Sequence, residues 1–199
     1  GLVGSEMCIR DRLSDAYVTI KIYQCGGNGI GRGYITERKE VVVVKVAMIG
    51  HKDFPSRSGG VEVMVGGLAR SLVERGYDVT VYNRGLEKHH NVYDVDGVHA
   101  RRVFTLQKPA LNATIYSFLA TFDALFRGYD VLHYHAIGPS VPLLIAKIFG
   151  KHTVCTVHGL NWKVDKWRGF ASRYMKLGER IAAKYADDLV VLSETEWNY

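Results

Sequence analysis

The sequence predicts an α/β fold, a Rossmann-like parallel sheet with helices on both faces. Three observations carry this reading. Val41–Gly50 is a near-continuous β-branched run, as expected of a strand buried on both faces. Strand-like and helix-like segments then alternate to the end of the chain, which calls for βαβ crossovers. The segments after Gly50, His135 and His158 all leave strands at the carboxyl edge, where open parallel sheets bind ligands.

Residues 1–40 stand apart from this pattern. They hold no sustained period of 2 or 3.6, and Gly26–Gly33 is glycine-rich. A dinucleotide fingerprint would need glycine where Arg32 or Tyr34 stands. Residues 1–40 therefore read as a flexible or non-native leader, and residues 41–199 as the domain.

After the first strand comes a loop with Pro55 and two glycines. Val61, Val65, Leu68 and Leu72 then recur at helical spacing, and Arg75-Gly76 supplies the stop. Asp78–Asn83 and Val98–Phe104 read as strands, and Asn112–Phe126 as a helix. Val131–His135 is a short strand, Pro139–Phe149 a helix and Thr153–His158 a strand. Phe170, Tyr174, Leu177, Ile181 and Tyr185 line one face of a long amphipathic helix, and Asp188–Leu192 is the last strand.

Composition narrows the class. With 47% apolar and 23% charged residues, the 199-residue chain is an ordinary packed domain and not a disordered one. Val141–Phe149, the longest apolar run, is interrupted by Pro142 and Lys147 and falls far short of the ~20 residues of a membrane span. Cys8, Cys25 and Cys155 form no CxxC pair, so neither a disulfide framework nor a zinc ribbon is expected, and a reducing cytoplasm is the better compartment. The net charge of +6 permits phosphates, nucleic acid or an anionic membrane as partners and demands none.

Three loops could carry chemistry. In His51–Glu62, Gly59 and Gly60 at a helix start would let a ligand approach backbone N–H groups, and Arg57 could add a charged fork for phosphate. The plainer alternative is a tight turn with Glu62 capping the helix. In His133–Pro139, residues two apart on a strand share a side, so His133 and His135 could share a site. That spacing also suits metal ligands, with His158 as a third, although a neutral histidine facing substrate fits equally. In Thr156–Trp162, His158 leaves a buried strand ahead of Gly159, with Asn161 beside it, while Trp162 and Trp167 offer faces for sugar rings or caps for the core. Lys163, Lys166, Arg168, Arg173, Lys176 and Arg180, against Asp165 and Glu179, make a basic stretch. It is either a solvated helix face or a surface for anionic lipid or a phosphorylated acceptor.

Five segments, VAMIGHKDFPSRSGGVE (46–62), LARSLVERGYDVTVYNR (68–84), VLHYHAIGPS (131–140), TVHGLNWKVDKW (156–167) and ADDLVVLSE (186–194), occur in this order. Together they resemble the N-terminal domain of the family 4 retaining glycosyltransferases, whose GT-B fold faces two Rossmann-like domains across a cleft. The bacterial polysaccharide-assembly branch that includes rhamnosyltransferases is the most similar. The resemblance implies transfer of a sugar from a nucleotide-sugar to a glycan or lipid-linked acceptor, with retention, no bound metal and no other cofactor. It places Gly59, Gly60, Arg57 and Glu62 at the donor phosphates and sugar. His158 would stand beside the reacting sugar, with His135, His133, Asn161 and Trp162 along the acceptor side of the cleft. It implies a cytoplasmic enzyme, peripheral at the inner membrane face, with no nucleic-acid partner. It also implies that residues 41–199 are the acceptor-side half, inactive without a C-terminal donor domain. Two other readings stay open from the residues alone. One is a metal-dependent hydrolase using His133, His135 and His158; the other is a non-catalytic nucleotide-binding module.

Overall fold

A computed structural model describes residues 43–85, 92–106, 108–158 and 170–192. The expected leader over residues 1–40 lies outside the described residues, as do Val41 and Val42 of the first strand.

From Val44 onward the chain forms one compact unit. Its elements are β1 (Lys45–Ile49), α1 (Gly60–Glu74), β2 (Asp78–Gly85), β3 (Val92–Val95), β4 (Val98–Phe104), α2 (Pro109–Phe126), β5 (Val131–His135), α3 (Leu143–Ile148), β6 (His152–Val157), α4 (Phe170–Tyr185) and β7 (Asp188–Val191). The strands form one sheet in the order β3-β4-β2-β1-β5-β6-β7. Every pairing is parallel except β3 with β4. The chain builds outward from β1 on one side, then crosses through α2 to β5 on the other. The carboxyl ends of β1 and β5 are therefore the switch point at which doubly wound sheets open a crevice.

Alternation along the strands sorts the core into two layers. Val46 and Met48 of β1 face α1 and pack with Val65, Ala69, Val79, Val81, Val98 and Ala100. Ala47 and Ile49 face the other way, with Leu132 and Tyr134 of β5, against Tyr116 and Ala120 of α2, Leu143 of α3 and Ile181 of α4. Helices thus cover both faces, as the strand-helix alternation predicts.

Three details differ from the sequence reading. The expected six strands become seven, because Val92–Val95 pairs antiparallel with Val98–Arg101 through a hairpin at Asp96-Gly97. Both turn residues have positive φ, +54° and +76°, the geometry favoured in two-residue hairpins. The helix expected over Pro139–Phe149 is only Leu143–Ile148. Pro139 and Pro142 bring no N–H, and Ser140 Oγ instead reaches the carbonyls of Ile137 and Gly178 at 2.7 and 3.1 Å, holding the segment as a turn.

The third difference is the buried stripe of α4, which runs through Met175, Gly178, Ile181 and Ala182, while Leu177 and Tyr185 are exposed. The pivot is Gly178, where a Cβ would sit 1.9 Å from the Ile137 carbonyl oxygen. The helix touches the turn after β5 at its smallest residue, and Leu177 is rotated off that contact by one helical step.

Candidate functional site

At the switch point β1 and β5 touch through backbone. Gly50 has φ +131°, and a Cβ there would lie 2.1 Å from the His135 carbonyl oxygen, so only glycine fits. This contact brings His51, which follows β1, toward His135, which ends β5. Arg84 of β2 pins the same corner. Its guanidinium donates to the carbonyls of Gly50 (2.8 Å) and His51 (3.1 Å) and to Asn112 Oδ1 (2.9 Å).

Four histidines gather there. His133 and His135 do share a side of β5, with stacked rings 4.2 Å apart, and His135 Nδ1 lies 3.3 Å from His158 Nε2. His133 Nε2 pairs with Thr156 Oγ1 on β6 at 2.7 Å. His51 Nε2 pairs with Asn83 Oδ1 at 2.9 Å. His51, His133 and His135 are buried, whereas His158 is half-buried. Burial drives all three buried rings toward the neutral form, with the pKa of His51 down to about 4, that of His133 to about 3, and that of His135 well below the ordinary value. These are hydrogen-bonding imidazoles at neutral pH and not cations.

The three histidines of the hydrolase reading adjoin one another but turn their ring nitrogens to different partners. His133 is turned to Thr156 and His135 to His158, and the described residues hold no group of three metal-ligating side chains that could hold an ion. Next to them, β5 runs into Ala136, whose φ of +80° is strained for a residue with a Cβ.

The glycine loop lies between β1 and α1. Gly59 precedes α1 in extended conformation, and Gly60 opens the helix with no positive φ. The carboxylate of Glu62 folds back over Gly59: a Cβ there would meet Oε2 at 2.5 Å, and Oε1 accepts the Lys52 N–H at 3.3 Å. Glu62 is buried, so it belongs to the loop's own structure as well as to its chemistry. A Cβ at Gly60 would meet nothing within 4 Å, so packing does not demand that glycine. Arg57 is exposed at the mouth of a groove of about 780 Å³ that follows α1, lined also by Phe54, Glu62, Gly66 and Arg70.

Sequence reasoning named His133, His135, His158, Gly59, Gly60, Arg57 and Glu62; the structure places His133 and His135 in β5, His158 just after β6, Arg57 and Gly59 in the loop after β1, and Gly60 and Glu62 in the first turn of α1. Asn161 and Trp162 lie outside the described residues, as do Trp167, Lys163, Lys166 and Arg168. Arg173, Lys176 and Arg180 are exposed on α4. It missed His51, Asn83 and Arg84. A signal was present: Asn83 is an amide among the buried positions of β2, most of which are apolar, and His51, like His158, follows a strand exit.

The sequence profile described as Glycosyltransferase Family 4 matches residues 58–198, well over half of the chain. No curated protein matches the sequence. Among solved structures, sucrose-phosphate synthase from Thermosynechococcus elongatus is similar at TM-score 0.59 and 17% identity, over 78% of this chain and 44% of that one. A second structure of sucrose-phosphate synthase from that organism matches at TM-score 0.54 and 15% identity, over 78% and 80%. The chain thus spans less than half the length of the first, and at these identities the likeness is one of fold. With that fold and the family profile in agreement, the chain belongs to glycosyltransferase family 4.

Proposed function

We propose that this chain is the acceptor-side half of a retaining glycosyltransferase that moves a sugar from a nucleotide-sugar to a glycan or lipid-linked acceptor. The observation that supports the reading is that the loop carrying Gly59 and Gly60 leaves the carboxyl end of β1, while the His135–His158 pair stands at the carboxyl ends of the neighbouring β5 and β6, on the same side of the sheet. A nucleoside diphosphate leaves readily if its developing charge is met. Arg57 and the amides opening α1 supply part of that charge, and a second domain supplies the rest; no metal or other cofactor is invoked. His158 stands beside the transferred sugar, with His135 and His133 behind it. The resemblance assigns Asn161 and Trp162 to the acceptor side.

The polysaccharide-assembly branch rests on the five-segment resemblance. The exposed Arg173, Lys176 and Arg180 support a peripheral seat on an anionic membrane from the cytoplasmic side. Among the described residues no helix is long and apolar enough to cross a membrane.

The test is a transfer assay on the protein extended by its donor domain, comparing wild type with Gly60→Val. The added side chain meets open space, so stability should change by less than about 1 kcal/mol. The KM for the nucleotide-sugar should rise at least tenfold, about 1.4 kcal/mol. Equal donor affinity in the two proteins removes the loop from the site, and unchanged transfer in His158→Ala favours a nucleotide-binding module.

A further inference from the structure

The groove of about 780 Å³ along α1 runs from the loop after β1 to Asp96 in the β3–β4 hairpin. Gly66 and Gly67 form part of its floor in mid-helix, where glycine weakens a helix relative to alanine. A Cβ on Gly67 would meet nothing within 4 Å, so packing does not account for that glycine. Helix backbone left bare in this way lets a ligand approach closely. The side chains at the two ends of the groove suit hydroxyl groups. Glu62 lines it from the first turn of α1 and is only 7% exposed. Among the described residues its carboxylate takes a single hydrogen bond, a long one from the Lys52 N–H to Oε1 at 3.3 Å. A carboxylate so deeply buried calls for more donors than that. At the far end Arg70 Nε donates to Asp96 Oδ2 at 2.7 Å, with both side chains partly in solvent. An exposed pair of this kind contributes little to folding and can serve a ligand as donor and acceptor together.

We propose that this groove holds the acceptor as a glycan of two or more sugar rings. Glu62 accepts hydrogen bonds from hydroxyls of the ring nearest the loop after β1, and Arg70 with Asp96 holds a ring farther along. Glu62 and Arg70 lie eight residues apart on α1, about 12 Å at 1.5 Å per residue, more than one sugar ring spans. The bare backbone at Gly66 and Gly67 lies between them and leaves room for the chain of rings. A phosphate in the groove would meet the Glu62 carboxylate as a like charge, whereas sugar hydroxyls donate to it. Glu62 thereby moves from the donor side, where the resemblance put it, to the acceptor side. Calling the bound glycan the acceptor rests on the function proposed above. The binding itself does not.

The experiment presents the full 199-residue chain, biotinylated and assembled on streptavidin so that avidity reveals weak sites, to an array of bacterial glycans from single sugars to hexasaccharides. At least one series should bind, its signal rising about tenfold from single sugar to di- or trisaccharide, the worth of one net hydrogen bond. Gly67→Phe, whose ring enters open space in the groove, should lower that signal by about the same factor. So should Glu62→Gln, which keeps an acceptor for the Lys52 N–H but turns the other carboxylate oxygen into a donor. Excess uridine, guanosine or adenosine diphosphate should leave the signal unchanged. The proposal is overturned if no glycan binds, if single sugars bind as well as oligosaccharides, or if a nucleoside diphosphate displaces the glycan. It is overturned as well if a folded Gly67→Phe or Glu62→Gln protein binds as the wild type does. Should Glu62→Gln not fold, Gly67→Phe still decides. No transfer occurs in this measurement, so a failed transfer assay leaves its result standing, and its own failure leaves the glycosyltransferase reading untouched.

Discussion

The two edges of the sheet handle polar groups in opposite ways. At the amino edge, charged side chains pair in or near solvent: Lys147 with Asp187 at 2.5 Å, His152 with Asp188 at 2.7 Å, and the Lys45 N–H with Asp130 at 2.8 Å. At the carboxyl edge His51, Asn83, His133, His135 and Thr156 are buried and neutral, two ring nitrogens lack partners, and Ala136 is backbone-strained. Exposed pairs contribute little and can be exchanged for water. Buried, half-satisfied polar groups cost stability and survive only where something other than folding requires them. This contrast supports the proposed placement of the chemistry at the carboxyl edge.

The largest effect should come from the backbone contact that builds that edge. In Gly50→Val, the side chain would meet the His135 carbonyl well inside contact distance, on a backbone that L residues avoid. No side-chain rotation relieves a clash with a strand. The loss should reach about 4 kcal/mol or more, measured by urea denaturation or seen as failure to fold. A change under about 1 kcal/mol would mean that β1 and β5 do not touch here.

Next comes pH. Folded His51 titrates near 4 and His133 near 3, against 6.5 for an ordinary histidine, chiefly because burial disfavours the charged ring. Below 6.5 the unfolded chain takes up protons that the folded one refuses, so stability rises with pH across that window. The contribution is complete above 6.5 and is lost on acidification, down to about 4 for His51 and about 3 for His133. Each ring changes stability by about 1.4 kcal/mol per pH unit inside its window. The urea midpoint should therefore fall steeply between pH 6.5 and about pH 5, and His133→Asn should flatten the slope by roughly one proton. A level profile would show that the carboxyl edge is open to water.

The same contrast explains how much the chain discloses in advance. The six parallel strands, both helical layers and the strand-exit histidines are legible because burial on two faces forces long apolar runs, and polar exceptions stand out against them. The edge hairpin is harder. Val92–Val95 is only half-buried, so its alternation is weak, and the Asp96-Gly97 turn is the signal that finds it. The helical face of α4 is misread because a glycine, which no hydrophobic pattern scores, makes the contact. The Asn83–His51 pairing is invisible for another reason. It joins residues 32 positions apart through strand register, which periodicity does not encode.

Ala136 sharpens the comparison with a gain. At φ +80°, its Cβ is crowded in a way that costs roughly 1–2 kcal/mol, and glycine relieves it at an entropic cost of about 0.5–1 kcal/mol. Ala136→Gly should stabilise the protein by about 0.5–1 kcal/mol, read from the denaturation midpoint. The strain lies one residue beyond His135, so transfer activity in the extended protein should not improve with stability. Destabilisation would mean that Ala136 is relaxed and that the carboxyl edge carries no stored cost.

The smallest effect belongs to Lys147 at the amino edge, and its partner Asp187 supplies the control. Lys147 and Asp187 are about a third exposed, and their Coulomb attraction is shared with water and salt. Lys147→Met keeps the stem and removes the charge, and should cost about 0.2–1 kcal/mol, fading as salt is added. Asp187 is not equivalent. Its other oxygen accepts the N–H and hydroxyl of Thr153 at 2.8 and 3.0 Å, and Thr153 is fully buried. Asp187→Ala strands those donors at the start of β6 and should cost about 1–3 kcal/mol, largely independent of salt. If the two substitutions cost the same and respond to salt alike, the amino edge is held by charge alone. If only Asp187→Ala matters, the edge is held by hydrogen bonds to buried backbone, and the exposed cation is ornament to the fold.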